Sequence, residues 1–395
     1  MKTNPFRMLL LGVAALVCTL AGCTPPDRPV ESVPVTFQLT VPATTPADSE
    51  VWVTGDKEVL GSWDGKGLQL TKQPDGTYTA TTHFAPGTTI QWKATRGSWD
   101  TVEKGANHQD VDNRSYTVTL RNNTVRGTIL NWRGPTTTGN IKYHNNFPSQ
   151  FVKARNVVVY LPPGYDSNAT RRYPVLYMHD GQNLFDRLTS AFGSEWNADE
   201  TAERLITAGQ MEPIIIVGPY NTSDRIPEYT HVADPRHGGG KADDYARFLV
   251  QELKPFIDQT YRTKHEPEFT GLAGSSLGGL VSMYFGITLS NTFTRIGVIS
   301  PSVWWSNKEI VTRVSNLSTK PAIKVWLDIG TNEGSTAAEE VQNTRELRDA
   351  LVAKGFVLNQ DLRYLEVQGA GHDESAWSGR MDQIFKYLYP PVTAQ

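Results

Sequence analysis

Cysteine is almost missing from this sequence: there are two in 395 residues, Cys18 and Cys23, both near the start. No disulfide framework and no cysteine-based metal site can therefore organise the body of the chain. Blocks of like charge are missing as well. Lys and Arg number 38 against 41 Asp and Glu, a net charge of −3. A mildly acidic chain without a basic patch has no electrostatic means of holding nucleic acid, whose binding rests on neutralised phosphates. Beyond the first 20 positions no apolar run is long enough to span a bilayer, and no internal repeat is visible. Disorder and fibre are excluded too. With 38% hydrophobic and 10% aromatic residues, 33 Gly and 24 Pro, the composition is globular, and the length suits two or three domains.

What is present begins with an export pattern. Lys2 and Arg7 precede an apolar run over 8–20, which is short for a membrane span. The run ends in Leu20-Ala21-Gly22-Cys23, which resembles a bacterial lipoprotein box. That resemblance implies a signal over 1–22, cleavage before Cys23 and lipidation of its thiol, which would anchor an exported protein to the bacterial cell envelope. Ordinary secretion with a chance cysteine is the alternative. Residues 23–33 contain Pro25, Pro26 and Pro29 and suit an extended tether.

Two compositions follow. Over 34–132 the chain is rich in Thr, Val and Gly. Alternating segments such as Val35-Thr36-Phe37-Gln38-Leu39 are punctuated by Asp64-Gly65 and Asp75-Gly76. Short strands at that spacing predict a small all-β sandwich. A Gly/Pro/Thr linker over 133–139 leads into a second domain, 140–391. There, strand-length apolar runs (156–161, 174–178, 213–217, 269–273, 296–300, 323–329, 364–367) alternate with helical patterns (198–208, 243–261, 277–289, 337–354, 381–387). This is the grammar of a mostly parallel, doubly wound α/β sheet in three layers.

The chemistry concentrates in Gly274-Ser275-Ser276-Leu277-Gly278, a Gly-x-Ser-x-Gly segment between a predicted strand and a predicted helix. Such a turn lifts the Ser276 hydroxyl above the sheet edge and aims the Leu277 N–H at a developing oxyanion, at the favourable end of a helix dipole. A serine nucleophile needs a base and an acid, in the chain order Ser, acid, His. His372 is the one histidine beyond Ser276, in the small-residue loop Gly369-Ala370-Gly371-His372. The acid is expected after the strand 323–329, where Glu333 stands. Asp328 is the competitor, but it belongs to the strand itself. A second oxyanion donor is expected from the loop His179-Asp180-Gly181-Gln182-Asn183, through the N–H of Gln182 or Asn183. His179 and Asp180 read as braces of that loop, not as metal ligands. No metal and no cofactor is required.

On these residues the region from about 150 to 390 resembles the esterase branch of the α/β-hydrolases. That branch holds family 1 carbohydrate esterases, trilactone siderophore esterases, formylglutathione hydrolases and mycolyltransferases. Ser276, His372 and Glu333 match the nucleophile, base and acid of its motifs. Ser194-Glu195-Trp196, Arg225-x-x-Glu228-Tyr229 and Ser300-Pro301-Ser302-x-Trp304-Trp305 are similar to segments of a bacterial subgroup. Trp196, Arg225, Glu228, Trp304 and Trp305 then either line an acyl or sugar pocket or pack in the core. In the N-terminal domain, Val51-Trp52-Val53-Thr54-Gly55, Leu60-Gly61-Ser62-Trp63-Asp64 and Ile90-Gln91-Trp92-Lys93 resemble a family 20 starch-binding module. The resemblance implies sugar stacking on Trp63 beside Lys93, with Trp99 as the second platform; Trp99 in the core is the alternative.

The resulting expectation is a serine carboxylic-ester hydrolase with a Ser-His-Glu triad and an acyl-enzyme. Its substrate would be a small-molecule or polysaccharide ester, with acetyl or feruloyl esters of carbohydrate foremost and possible α-glucan binding by the N-terminal domain. A siderophore trilactone esterase and an acyltransferase are the alternatives within the branch. A non-catalytic glycan-binding surface lipoprotein is the alternative from another class.

Overall fold

A computed structural model describes residues 31–42, 45, 49–106, 109–134 and 137–392. The expected signal over 1–22, Cys23 and most of the tether lie outside the described residues. Among the described residues no helix is long and apolar enough to cross a membrane. The chain divides into two compact units after Gly134.

In the first unit seven strands form a continuous sheet. Their order is Arg114–Thr117, Thr89–Thr95, Val51–Gly55, Leu68–Lys72, Tyr78–Phe84, Val33–Thr40, Asn123–Thr128. Val33–Thr40 illustrates why these segments are strands: Val35, Phe37 and Leu39 alternate inward and are fully buried, the period-2 pattern of a half-buried sheet. Leu68–Lys72 changes partner midway. Leu68 to Leu70 pair with Val51–Gly55, while Thr71 and Lys72 pair with Tyr78–Phe84. The sheet folds over at that point, so Phe37 meets Trp92 of the other half edge-on at 5.4 Å. The expected sandwich is thus one sheet closed over its own core.

The second unit is built on an eight-stranded sheet in the order Asn140–Phe147, Arg155–Leu161, Ile215–Pro219, Val175–Met178, Thr270–Ser276, Arg295–Pro301, Lys324–Gly330, Leu362–Val367. Asn140–Phe147 and Arg155–Leu161 run antiparallel, and Arg155–Leu161 also meets Ile215–Pro219 antiparallel; the remaining pairs are parallel. The strand Val175–Met178 shows how both faces are covered. Val175 and Tyr177 enter one core with Leu280, Phe285 and Leu347, while Leu176 and Met178 enter another with Leu205, Ile384 and Phe385. Helices therefore lie on either side, and the layers are α/β/α.

Three elements depart from the expected pattern. The helix expected over 243–261 is three segments: Ala242–Arg247, a π-helical stretch Phe248–Leu253, and Lys254–Thr260. Pro255 follows the π stretch, and its missing N–H cannot continue the i to i−4 ladder. The edge strand Asn140–Phe147 and the helix Trp305–Ser315, whose first turn is interrupted by left-handed Ser306, Asn307 and Lys308, are additional elements. The edge strand buries none of its residues fully, so it carries no apolar signal.

Candidate active site

The strand Thr270–Ser276 runs through the interior of the sheet and turns directly into the helix Leu277–Thr288. Ser276 is the turning residue, at φ 59° and ψ −122°. This backbone conformation costs a non-glycine residue roughly 1–3 kcal/mol and persists only where its surroundings over-determine it. Gly274 permits the close packing around it. A Cβ there would stand 2.8 Å from His179 Cδ2 and 3.0 Å from the Gly278 carbonyl carbon. The turn can close this tightly only without a side chain. Ser302 lies alongside: its N–H donates to the Ser276 carbonyl at 3.0 Å, and the two hydroxyl oxygens are 3.3 Å apart.

His372 arrives from the loop after Leu362–Val367, with its Nδ1 2.7 Å from Glu333 Oε2. The other carboxylate oxygen of Glu333 accepts from the Ser300 hydroxyl at 2.5 Å and the Gly330 N–H at 2.6 Å. Glu333 is thereby held in one orientation. Asp328 is committed elsewhere. It accepts from Arg380 Nη1 at 2.5 Å and Trp326 Nε1 at 2.6 Å, fully buried in the sheet. Arg380 Nη2 also stands 3.7 Å from Glu333.

The loop after Val175–Met178 forms a short turn, Gly181–Asn183. Asp180 enters it with φ 58° and accepts from Arg225 Nε and Nη2, both at 2.8 Å, and from Asn221 Nδ2 at 2.6 Å. Burial raises the Asp180 carboxyl, but Arg225 and Asn221 outweigh it and hold the group below the usual range. His179 sits behind the nucleophile turn with Nδ1 3.0 Å from the Tyr245 hydroxyl. Burial drives its pKa down to about 3, so the imidazole is neutral. Gln182 is buried in the same loop and accepts from the Asn221 N–H at 3.2 Å.

Ser276, His372, Gln182, Arg225, Phe192 and Trp377 line a common cavity of about 560 Å³. Glu374 also faces it; burial, with Asp180 and Asp373 nearby, raises its carboxyl, and it accepts from Asn183 Nδ2 at 3.0 Å. A hydroxyl on a strained strand-to-helix turn, a carboxylate-held imidazole and the first N–H of a helix form a set able to support nucleophilic acyl chemistry.

Other expected pocket residues fall outside this cavity. Trp196 is 2% exposed and packs on Trp377 at 5.5 Å, a core position. Glu228 does not pair with Arg225. It forms a buried two-pronged pair with Arg155, at 2.7 and 2.8 Å. Trp305 is buried and donates its indole N–H to the Val232 carbonyl at 2.8 Å. Trp304 is half-buried and lines a separate cavity with Arg236 and Asn307. Sequence alone does not separate a core aromatic from a pocket aromatic. Ser300 and Arg380 were missed as supports of Glu333: no motif marks Arg380, and Ser300 was visible only as part of a resemblance.

In the N-terminal unit Trp63 and Trp99 come together at 6.1 Å with ring planes 36° apart, and Trp99 Nε1 donates to the Trp63 carbonyl at 2.8 Å. Trp99 is 37% exposed, so it lies at the surface and not in the core. Lys93 pairs across the sheet with Thr54, whereas Lys66 stands over the Trp52 ring at 5.6 Å.

Comparison with known proteins agrees with both units. Residues 149–388 match the family described as "Putative esterase", and residues 32–128 match the starch binding domain. An endo-1,4-beta-xylanase/feruloyl esterase of Xylanibacter ruminicola is 23% identical over 257 residues, covering 64% of this chain and 31% of that protein. The ferri-bacillibactin esterase BesA of Bacillus subtilis is 25% identical over 226 residues, covering 51% and 73%. The solved siderophore hydrolase EstA of Aspergillus nidulans shares the fold with a TM-score of 0.51 at 21% identity, over 63% of this chain and 95% of that one.

Proposed function

Since the chain belongs to the esterase family and is a serine ester hydrolase, we propose that Ser276, His372 and Glu333 are its catalytic triad. Ser276 Oγ attacks the ester carbonyl while His372 takes its proton. The Leu277 and Gln182 N–H groups stabilise the oxyanion, and the protonated His372 returns its proton to the departing alcohol. Water then repeats the cycle on the acyl-enzyme and releases the acid. Glu333 orients the imidazole and stabilises its charged form. The observation that carries this reading is the 2.7 Å His372–Glu333 contact beside the cavity that Ser276 lines. Hydrolysis of p-nitrophenyl acetate tests it. Ser276→Ala should lose about three or more orders of magnitude in turnover, and wild-type-like turnover by that variant would overturn the assignment.

The proposed substrate is an acylated carbohydrate bearing acetyl or feruloyl esters. Support comes from a starch-binding unit in the same chain and from a feruloyl esterase among the relatives. Trp63 and Trp99 are the proposed α-glucan platform of that unit. BesA among the relatives favours a second reading, a siderophore trilactone. A panel of acetylated, feruloylated and trilactone substrates separates the two. Export and lipid anchoring through Cys23 complete the proposal, supported by the sequence at residues 1–23; loss of palmitate labelling in Cys23→Ser is the expected result.

A further inference from the structure

We infer that a second cavity, walled by Trp304, Asn307, Arg236 and Asn343, is a subsite for a neutral glycan, the alcohol side of the ester. Its volume is about 540 Å³. The inference rests on the reading of Ser276 as the nucleophile, because the position of the cavity relative to Ser276 gives it its role. Ser302 Oγ stands 3.3 Å from Ser276 Oγ, and Trp304 is two residues further on. Two steps of the chain span at most about 8 Å, so Trp304 lies within reach of a short oligosaccharide whose ester is held at Ser276.

The lining chemistry selects the ligand. Asp234, Glu339, Arg236 and Lys308 line the cavity, together with Asn307 and Asn343. Opposite charges balance, so nothing favours an anion, and among the lining residues only Trp304 and Pro235 are apolar. A pyranose fits both features. One ring face presents C–H groups to the Trp304 indole, and its hydroxyls need both donors and acceptors. The cavity lined by Ser276 carries Phe192, Ala191 and Trp377, a wall better suited to the acyl side.

Both walls are fixed before any ligand arrives. Ser306, Asn307 and Lys308 have φ of 46°, 56° and 60°, three successive left-handed residues without a glycine. Each costs roughly 1–2 kcal/mol, and the three side chains are themselves half-buried or exposed. Lys308 Nζ is tied to Glu346 at 2.7 Å. On the facing wall the Asp234 carboxylate accepts the Arg236 and His237 N–H groups at 2.9 and 3.1 Å. Trp305 Nε1 joins the walls by donating to the Val232 carbonyl at 2.8 Å. Strain held in place by such ties is characteristic of binding sites.

The test is a fluorescence titration of the full chain with xylohexaose and with maltohexaose, in a Trp63→Ala, Trp99→Ala background that removes the proposed platform of the first unit. Saturable binding of at least one hexasaccharide is expected. Adding Trp304→Ala should weaken it about tenfold, the loss of one stacked ring. Asn307→Gly keeps the left-handed backbone and should weaken binding severalfold; it decides the matter if Trp304→Ala does not fold. Binding of neither hexasaccharide, or binding indifferent to both changes, would overturn the inference. An unesterified glycan needs no turnover, so the result can be read whether or not the ester assay succeeds.

Discussion

Asp328 and Glu333 lie on the same strand and the turn that follows it, yet their closest charged partners differ. Asp328 meets Arg380 at 2.5 Å, and Glu333 meets His372 at 2.7 Å. The two carboxylates should therefore fail in different ways. Glu333→Gln keeps the shape but removes the charge behind the imidazole, and should lower kcat about 10³-fold or more with little change in stability. Asp328→Asn leaves the buried Arg380 without its closest carboxylate and should cost about 3 kcal/mol of stability or more. Steady-state kinetics beside thermal unfolding distinguish them. Equal kinetic losses with no unfolding effect for Asp328→Asn would show that the division of roles is wrong.

Gly274→Ala probes the closure of the nucleophile turn. The added Cβ meets a buried ring carbon at 2.8 Å and backbone at 3.0 Å, and neither can swing away as a flexible side-chain end would. A loss of about 1–3 kcal/mol together with reduced turnover is expected. Unchanged melting and kinetics would mean that the turn has slack.

The buried His179 predicts a pH dependence of stability. Its folded pKa, about 3, lies below the ordinary 6.5, so between these values the unfolded chain binds the extra proton. The contribution is complete above about pH 6.5 and fades as pH falls toward 3, by up to the order of 5 kcal/mol. His179→Gln should flatten the fall in melting temperature between pH 6.5 and 4 relative to wild type. Parallel curves for the two proteins would contradict it.

The order of strands and helices in the second unit, and the segment bearing Ser276, were legible because parallel strands buried on both faces read as apolar runs and glycines flank the turn. The positions of Asp328 inside a strand and Glu333 in the turn after it were legible because the apolar run ends just before Gly330. The environments of Trp196, Trp305 and Glu228 were not legible. Burial of an aromatic, or the choice of Arg155 over Arg225 as a partner, is decided by residues distant in the chain. Asn140–Phe147 escaped notice because an edge strand with both faces partly wet has no alternation to read.

On the first unit, Trp99→Ala should reduce retention of the full chain on insoluble starch. Trp99 is the more exposed of a ring pair 6.1 Å apart, and the loss should be about tenfold in affinity. A Lys93→Ala change tests whether that lysine contributes. Retention unaffected by Trp99→Ala would remove the platform assignment.

The most direct test of the central claim is intact-mass and peptide mapping after treatment with a fluorophosphonate. The account predicts one adduct per chain, on the peptide carrying Ser276. It should be absent in Ser276→Ala and strongly slowed in His372→Ala, whose imidazole would otherwise take the Ser276 proton. An adduct on a different serine, or equal labelling of wild type and His372→Ala, would contradict the assignment of Ser276 and His372.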